Sequence, residues 1–141
     1  MKLKLSIIKA AWNILAGFDF SKIADGKAVR TLYKDYNIIR KVAKEALSEQ
    51  EEIVRKYQQD WREEIAEVTK QREEIKQKVR TRVEGHEDFL EAEKTANEAI
   101  ADIYDAEADI NPSPVKLDHF IGVSMPLEHL AILQECGIIE E

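Results

Sequence analysis

The chain has 141 residues, of which 44% are hydrophobic and 35% charged, with five glycines and three prolines. Its apolar residues recur periodically and its helix breakers are few, which excludes an intrinsically disordered chain and favours long helices in one domain. The net charge of −7 argues against a general phosphate-binding role, because such binding depends on clustered Lys and Arg.

The first residues predict a short strand followed by a helix. Lysine and leucine alternate from Met1 to Leu5, which is the pattern of a strand. Ser6 is then a reasonable N-cap for a helix that Gly17 ends. The apolar face of this helix consists of Ile7, Ile8, Ala11, Trp12 and Leu15.

The same segment resembles a secretory signal peptide only superficially. Lys9 interrupts its apolar run, Asn13 follows, and no small-residue cleavage site is evident. No run of about 18 apolar residues exists, so we expect no segment that spans a membrane. We therefore expect an intracellular protein that is not secreted by a signal peptide.

The main predicted element is a helix that begins at Asp25 or Gly26 and extends to about Glu84. Its apolar stripe has the alternating spacing of three and four residues that forms the seam of a coiled coil. Between Ile53 and Ile65 three four-residue steps occur in a row, a stutter that locally unwinds a supercoil. If unbroken, the helix is on the order of 85 Å long.

A break in this helix at Ser48 is the alternative. Ser48 with Glu51 matches a capping box, which would start a second helix there. No glycine or proline supports the break, so we favour a continuous helix.

The charge pattern predicts that the chain reverses at a turn near residues 84–88, around Gly85. Residues 70–82, here called the basic arm, carry six basic and two acidic residues, whereas residues 84–109 carry ten acidic residues and one basic residue. The pattern favours an antiparallel hairpin, because opposite charges disfavour wrong registers. The heptad positions of the returning helix are Phe89, Ala92, Ala96, Ala99, Ile103, Ala106 and Ile110.

After the hairpin, the prolines of residues 111–114 end the returning helix. Residues 115–123 are partly alternating and predict a strand that pairs with Lys2 to Ser6. Pro126 opens a last helix, which Gly137 ends.

The two helices of the hairpin differ in length, which sets the predicted domain organisation. The returning helix covers only the distal half of the long one, so the proximal stripe must be covered by both ends of the chain. We predict a single domain, 1–141, in which residues 1–56 and 111–141 form a compact base and residues 57–110 a projecting hairpin. The fold class is mainly α, a long antiparallel helical hairpin (coiled coil) on a small base formed by both termini, with room for a two-stranded sheet.

Catalytic and metal-binding motifs are weak throughout. His86 lies among acidic residues, but no two of the three histidines have the helical spacing of metal ligands. Asp118 and His119 could act as the base for a nucleophile, Cys136 or Ser124, but the sequence lacks a nucleophile elbow and a glycine-rich oxyanion loop. Cys136 is the single cysteine, so an intrachain disulfide is excluded. We expect its side chain to be buried and to pack as a small hydrophobic residue. We predict no enzyme, no metal and no cofactor.

Two large aromatic residues at the stutter suggest an interface. Tyr57 and Trp61 either pack in the core against Ile110 and the Pro112 segment or anchor a partner or a second copy, since Tyr and Trp are enriched at hot spots. The predicted partner interface is Ile53, Tyr57 and Trp61. The heptad stripe exceeds what one chain can cover, so we expect a protein partner or a homo-oligomer.

The basic arm gives the alternative function, a nucleic-acid-associated regulator. Its patch consists of Lys76, Lys78, Arg80 and Arg82. The competing interpretation is that these side chains pair with the acidic residues of 84–109 in the same chain. The basic arm also has no interleaved aromatic side chains on which bases could stack. Nucleic acid is therefore disfavoured as a partner.

Three segments carry a resemblance to a group of small helical proteins of tailed phages and prophages, which has no established biochemical role. They are MKLKLSIIKAAWNIL, GKAVRTLYKDYNIIRKVAKEAL and LDHFIGVSMPLEHLAILQECGII, the last with a proline-started helix of the pattern Pro126, Leu130, Leu133. The resemblance implies a structural or assembly-related protein, such as a virion component, an adaptor or an assembly factor, with no catalytic residues, in the host-cell cytoplasm or in a virion.

Overall fold

The computed structural model describes residues 1–74 and 86–141, and most of them are helical, as predicted. The chain divides into two compact units. Unit 1 comprises Met1–Leu47 and Tyr104–Glu141, and unit 2 comprises Ser48–Ile103. The predicted arrangement of a base and a projecting hairpin, divided at residues 56/57 and 110/111, stays a prediction.

In unit 1 the first strand pairs with a segment that the sequence pattern had assigned to a helix. Strand β1 (Lys2–Lys4) runs antiparallel to β2 (Glu107–Asp109). Lys2 lies opposite Asp109 and Lys4 opposite Glu107, and such oppositely charged cross-strand pairs stabilise a sheet by about 0.2–1 kcal/mol each. The predicted pairing of residues 115–123 with β1 is therefore wrong.

Helix α1 (Leu5–Ala16) begins directly at the end of β1. Ser6 is not its N-cap, because the helix begins one residue earlier and no side chain caps it. The backbone N–H of Leu5 instead donates to the carbonyl of Ala106, 2.9 Å away, so the sheet satisfies the first donor of the helix. Gly17 ends the helix as predicted.

Helix α2 (Gly26–Asp60) is the longest element of the described chain. The carboxylate of Asp25 caps it, accepting hydrogen bonds from the backbone N–H groups of Lys27 and Ala28 at 2.9 and 3.0 Å. The helix passes through Ser48 without a break, as favoured from the sequence.

The expected unbroken helix to Glu84 is wrong at Trp61, inside the predicted stutter. Helix α3 (Arg62–Glu74) begins one residue after Trp61. The N–H of Trp61 still donates to the Tyr57 carbonyl at 3.0 Å, and that of Ile65 to the Trp61 carbonyl at 2.9 Å. The interruption is therefore a local irregularity in one helical path, as a stutter predicts. Residues 75–84 lie outside the described residues.

The core of unit 1 joins the proximal half of α2 to both ends of the chain. The C-terminal segment contributes strand β3 (Val115–Lys116), helix α5 (Leu127–Glu135) and strand β4 (Ile139–Glu140), with β3 and β4 parallel. The buried side chains that share this core include Ile8, Leu15, Leu32, Ile39, Ile110, Leu133 and Ile138. The proximal stripe of the long helix is thus covered by α1 and the C-terminal segment.

A single charged residue is buried among the described residues whose exposure is known. Asp35, on α2, is 0% exposed. Its Oδ1 atom accepts a hydrogen bond from the backbone N–H of Ser113 at 2.8 Å, and its Oδ2 atom has no partner within residues 1–74 and 86–141. Burial raises the pKa of this carboxyl to about 6, and the Ser113 N–H opposes that rise.

Unit 2 is helical and antiparallel. It contains the distal part of α2, helix α3 and most of helix α4 (His86–Asp105). Helix α4 ends before Ala106 and Ile110, so these two heptad positions are wrong; Ile110 is buried in the core of unit 1 instead. The Gly85 turn falls outside the described residues. Within the described ranges, no helix is both long and apolar enough to cross a membrane.

Candidate functional site

The candidate site is a groove within unit 2, between α2 and α4, with a volume of about 420 Å³. We call it the unit-2 groove. Its apolar lining consists of Ile53, Tyr57, Trp61, Ala92, Ala96 and Ala99. All three residues of the predicted partner interface therefore lie in one groove.

The groove follows from a mismatch in side-chain size between the two helices. Ile53 and Tyr57 on α2, and Trp61 directly after it, recur every four positions along one helical path, so they lie on one face. The facing positions of α4 are alanines, which fill little space. Large side chains on one side and small ones on the other leave a depression along the seam, with half-buried walls.

A cluster of three aromatic rings fixes one end of the groove. The Tyr57 and Phe89 rings are stacked with centroids 6.0 Å apart, and the Trp61 and Phe89 rings meet edge to face at 6.1 Å. Each such pair contributes about 0.5–1.5 kcal/mol beyond its buried area. Tyr57 and Trp61 thus pack on Phe89, and the expected packing against Ile110 is wrong because the chain leaves the helix before that residue.

Phe89 is the member of this cluster that sequence reasoning missed. It had been assigned only to a heptad position of the returning helix, yet it is 6% exposed and contacts both interface aromatics. The predicted turn gave no signal for these contacts, because a hairpin that reverses at Gly85 would place Phe89 opposite about residue 81 and not beside Tyr57 and Trp61.

Charged side chains form the rim of the groove. Helix α2 supplies Lys56 and Asp60, and helix α4 supplies Asp88 and Glu91. All four are exposed, so the apolar floor is bordered by three carboxylates and one ammonium group. Burial, and secondarily the charge of Glu93, raise the pKa of the Tyr57 hydroxyl, which therefore stays protonated at neutral pH.

The polar residues that the sequence analysis considered for catalysis or metal binding form a far less organised arrangement than the unit-2 groove does. Within the described ranges, no three His, Cys, Asp or Glu side chains are grouped to hold a metal ion. The nearest charged partner of His119 is Asp25, with Nδ1 and Oδ2 3.9 Å apart. Cys136 is buried, and burial raises the pKa of its thiol to about 11, which makes it a poor nucleophile at neutral pH.

Unit 1 exposes a second apolar feature, at the loop before α5. Ile121 is 80% exposed and Leu127 is 83% exposed. Leu127 is the first residue of α5, and the helix leaves it exposed while burying Leu133 and partly burying Leu130.

The alternative site of the sequence analysis lies outside the described residues. Its members are Lys76, Lys78, Arg80 and Arg82.

Comparisons of the chain with protein-family models, with curated proteins and with solved structures find no match.

Proposed function

We propose that this chain is a non-enzymatic protein-interaction protein that docks a helix in the unit-2 groove. The observation that carries the proposal is the apolar groove lined by Ile53, Tyr57 and Trp61. Two packed helices leave their seam accessible along one side, and a third helix can cover it. Recognition of an amphipathic helix by an apolar groove is a recurring mode of protein–protein binding.

The size of the lining side chains supports this proposal. Complete burial of a large apolar side chain contributes about 1.5–3 kcal/mol relative to full exposure. Ile53, Tyr57 and Trp61 are each half-buried in the isolated chain, so a docked helix gains part of that amount at each. The sum offsets a share of the ~4–15 kcal/mol that association costs in lost rigid-body freedom. Trp and Tyr are also the residues most enriched at binding hot spots.

The biological setting is proposed from the resemblance to small phage and prophage proteins. It supports a virion component, an adaptor or an assembly factor, found in the host cytoplasm or in the virion. The docked helix then comes from another assembly protein or from a second copy of this chain, which would complete a coiled-coil bundle.

Light scattering coupled to size-exclusion chromatography, together with a helix-binding assay, tests the proposal. The variant Trp61→Glu places a charge on the floor of the groove, and Tyr33→Glu is the control at a 58% exposed position of α2 in unit 1. We expect Trp61→Glu to abolish self-association or helix binding while Tyr33→Glu preserves it. A wild-type monomer that binds no helix at any concentration would refute the proposal.

The second proposal is the nucleic-acid-associated regulator that uses the basic arm, residues 70–82. It is supported by the clustered charge of the sequence alone. It requires binding that weakens steeply as salt rises, because phosphate contacts release counterions. Unchanged affinity in the double variant Arg80→Glu, Arg82→Glu would exclude that arm.

A further inference from the structure

We infer that the unit-2 groove selects a partner helix whose apolar stripe is flanked by lysine or arginine, in preference to a second copy of this chain. The inference rests on the proposed function and specifies the chemistry of the partner. It is carried by the geometry of the groove floor and by the sign of the charges on its rim.

The floor sets the length and spacing of the partner's contacts. From Ile53 to Trp61 the groove extends over about 12 Å, at ~1.5 Å per residue of α2. A helix lying along it presents about two turns, so its anchors fall at positions i, i+4 and i+7. The alanines of α4 allow the partner's backbone to approach that side closely, because interaxial distance depends on the side chains at the contact.

The rim sets the charge of the partner. Asp60, Asp88 and Glu91 outnumber the one cation, Lys56, so the rim has a net charge of −2. Lysine and arginine beside the apolar stripe can lay their methylene stems on the floor and bring their charged ends to these carboxylates. Acidic flanks would meet like charges at the same positions.

The same charges argue against a second copy as the occupant. A two-fold symmetric dimer places the same surface of both copies at the interface. Two unit-2 grooves facing each other would bring two net-negative rims together, at a distance where like charges repel. The neighbouring surface of α4 adds further carboxylates, since Glu93 and Asp102 are exposed as well. A partner of opposite charge meets no such cost.

A displayed library of amphipathic helices tests the charge selection directly. Leucine is fixed at positions i, i+4 and i+7, and the flanking positions are randomised among lysine, arginine, glutamate, aspartate, serine and glutamine. We expect selection on the wild-type chain to enrich lysine and arginine at the flanks. Selection on the double variant Asp60→Lys, Glu91→Lys should enrich glutamate and aspartate instead. Helices enriched without a charge bias would overturn the inference.

The affinity of one enriched basic helix, made as a labelled peptide, gives the quantitative test. Fluorescence anisotropy should show about a tenfold or larger loss of affinity for Asp60→Lys, Glu91→Lys, corresponding to about 1.4 kcal/mol. The control Glu51→Lys, Glu98→Lys makes the same charge change on the same two helices, at exposed positions that do not line the groove. It should bind within a few-fold of wild type. Equal losses in both variants would mean that only the net charge of the chain matters, and would overturn the inference.

Failure of the inference and failure of the proposed function give different results. Binding of basic and acidic helices with equal affinity, abolished by Trp61→Glu, keeps the groove as a docking site but rejects charge selection. A dimer that Trp61→Glu dissociates, with no helix enriched, identifies the second copy as the occupant and also rejects the inference. A monomer that enriches no helix rejects both.

Discussion

The buried carboxyl of Asp35 makes the stability of unit 1 depend on pH. Its Oδ1 atom accepts the Ser113 N–H, its Oδ2 atom has no partner in the described part of the chain, and the side chain is completely buried. We expect the variant Asp35→Asn to remove this pH dependence. The amide oxygen of asparagine keeps the hydrogen bond to Ser113 and carries no charge.

The magnitude follows from the shift in the pKa of Asp35. The rise from 3.8 to about 6 corresponds to about 3 kcal/mol, at 1.36 kcal/mol per unit. Because the folded protein holds this proton more tightly than the unfolded chain, the contribution is favourable below pH ~4 and is lost as the pH rises through ~6. Roughly 2 kcal/mol of this favourable contribution to the free energy of unfolding is lost between pH ~4 and pH ~8. The buried amide group of the variant has its own cost of ~1–3 kcal/mol, which does not vary with pH.

Urea unfolding at several pH values measures this effect. The fluorescence of Trp12 reports on unit 1 when Trp61 is replaced by phenylalanine in all variants. The useful quantity is the difference in free energy of unfolding between Asp35→Asn and its parent. Other carboxyls, such as Asp25 and Asp109, have lowered pKa values that act in the opposite direction and cancel in this difference.

The difference should shift in favour of Asp35→Asn by roughly 2 kcal/mol as the pH rises from ~4 to ~8. The matched control is Asp102→Asn, the same substitution at an exposed position of α4, and its difference should stay constant within ~0.5 kcal/mol. If the Asp35→Asn difference is also independent of pH, the carboxyl does not carry a buried charge and the reasoning is refuted.

Three further predictions concern the core, a helix cap and the cysteine. Leu32→Ala should lower the free energy of unfolding by about 2–5 kcal/mol, because Leu32 is fully buried in the core of unit 1. Urea unfolding measures this loss, and a loss below ~1 kcal/mol would contradict the burial of Leu32. Asp25→Ala should cost about 0.5–2 kcal/mol through loss of the α2 cap, whereas Asp25→Asn should recover most of it in the same assay. Cys136 should react slowly with a thiol reagent in the native protein and rapidly in urea, because its thiol is buried and its pKa is raised to about 11. Mass spectrometry follows the labelling, and fast labelling of the native protein would contradict this prediction.

Local chemistry made several features predictable from the sequence. Gly17 and Asp25 mark helix ends through their own backbone and side-chain properties, and the structure confirms both. The four-residue spacing of Ile53, Tyr57 and Trp61 placed them on one helical face, and they do line one groove. These inferences needed only interactions between residues close in sequence.

Features that depend on distant residues were not predictable. The heptad pattern continues through Ala106, but residues 107–109 form a strand that pairs with Lys2–Lys4, which are far away in the sequence. The burial of Asp35 has a similar origin. Ser113 lies between two prolines and has the one backbone N–H of that tripeptide, which requires an acceptor from α2. The apolar periodicity of α2 does not show that Asp35 accepts the hydrogen bond from the Ser113 N–H.

The pairing of β1 with β2 has a consequence for the order of folding during synthesis. The amino group of Met1 and the carboxylate of Asp109, 2.7 Å apart, are separated by 108 positions in the chain. Unit 2 is a continuous segment, Ser48–Ile103, inserted between the two segments of unit 1. A ribosome therefore releases all of unit 2 before β1 can meet its partner, and contacts between distant residues form slowly because the loop between them must first close. Unit 2 can complete its helical packing before the last quarter of the chain, which contains the partners of the N-terminal strand and α1, has been synthesised.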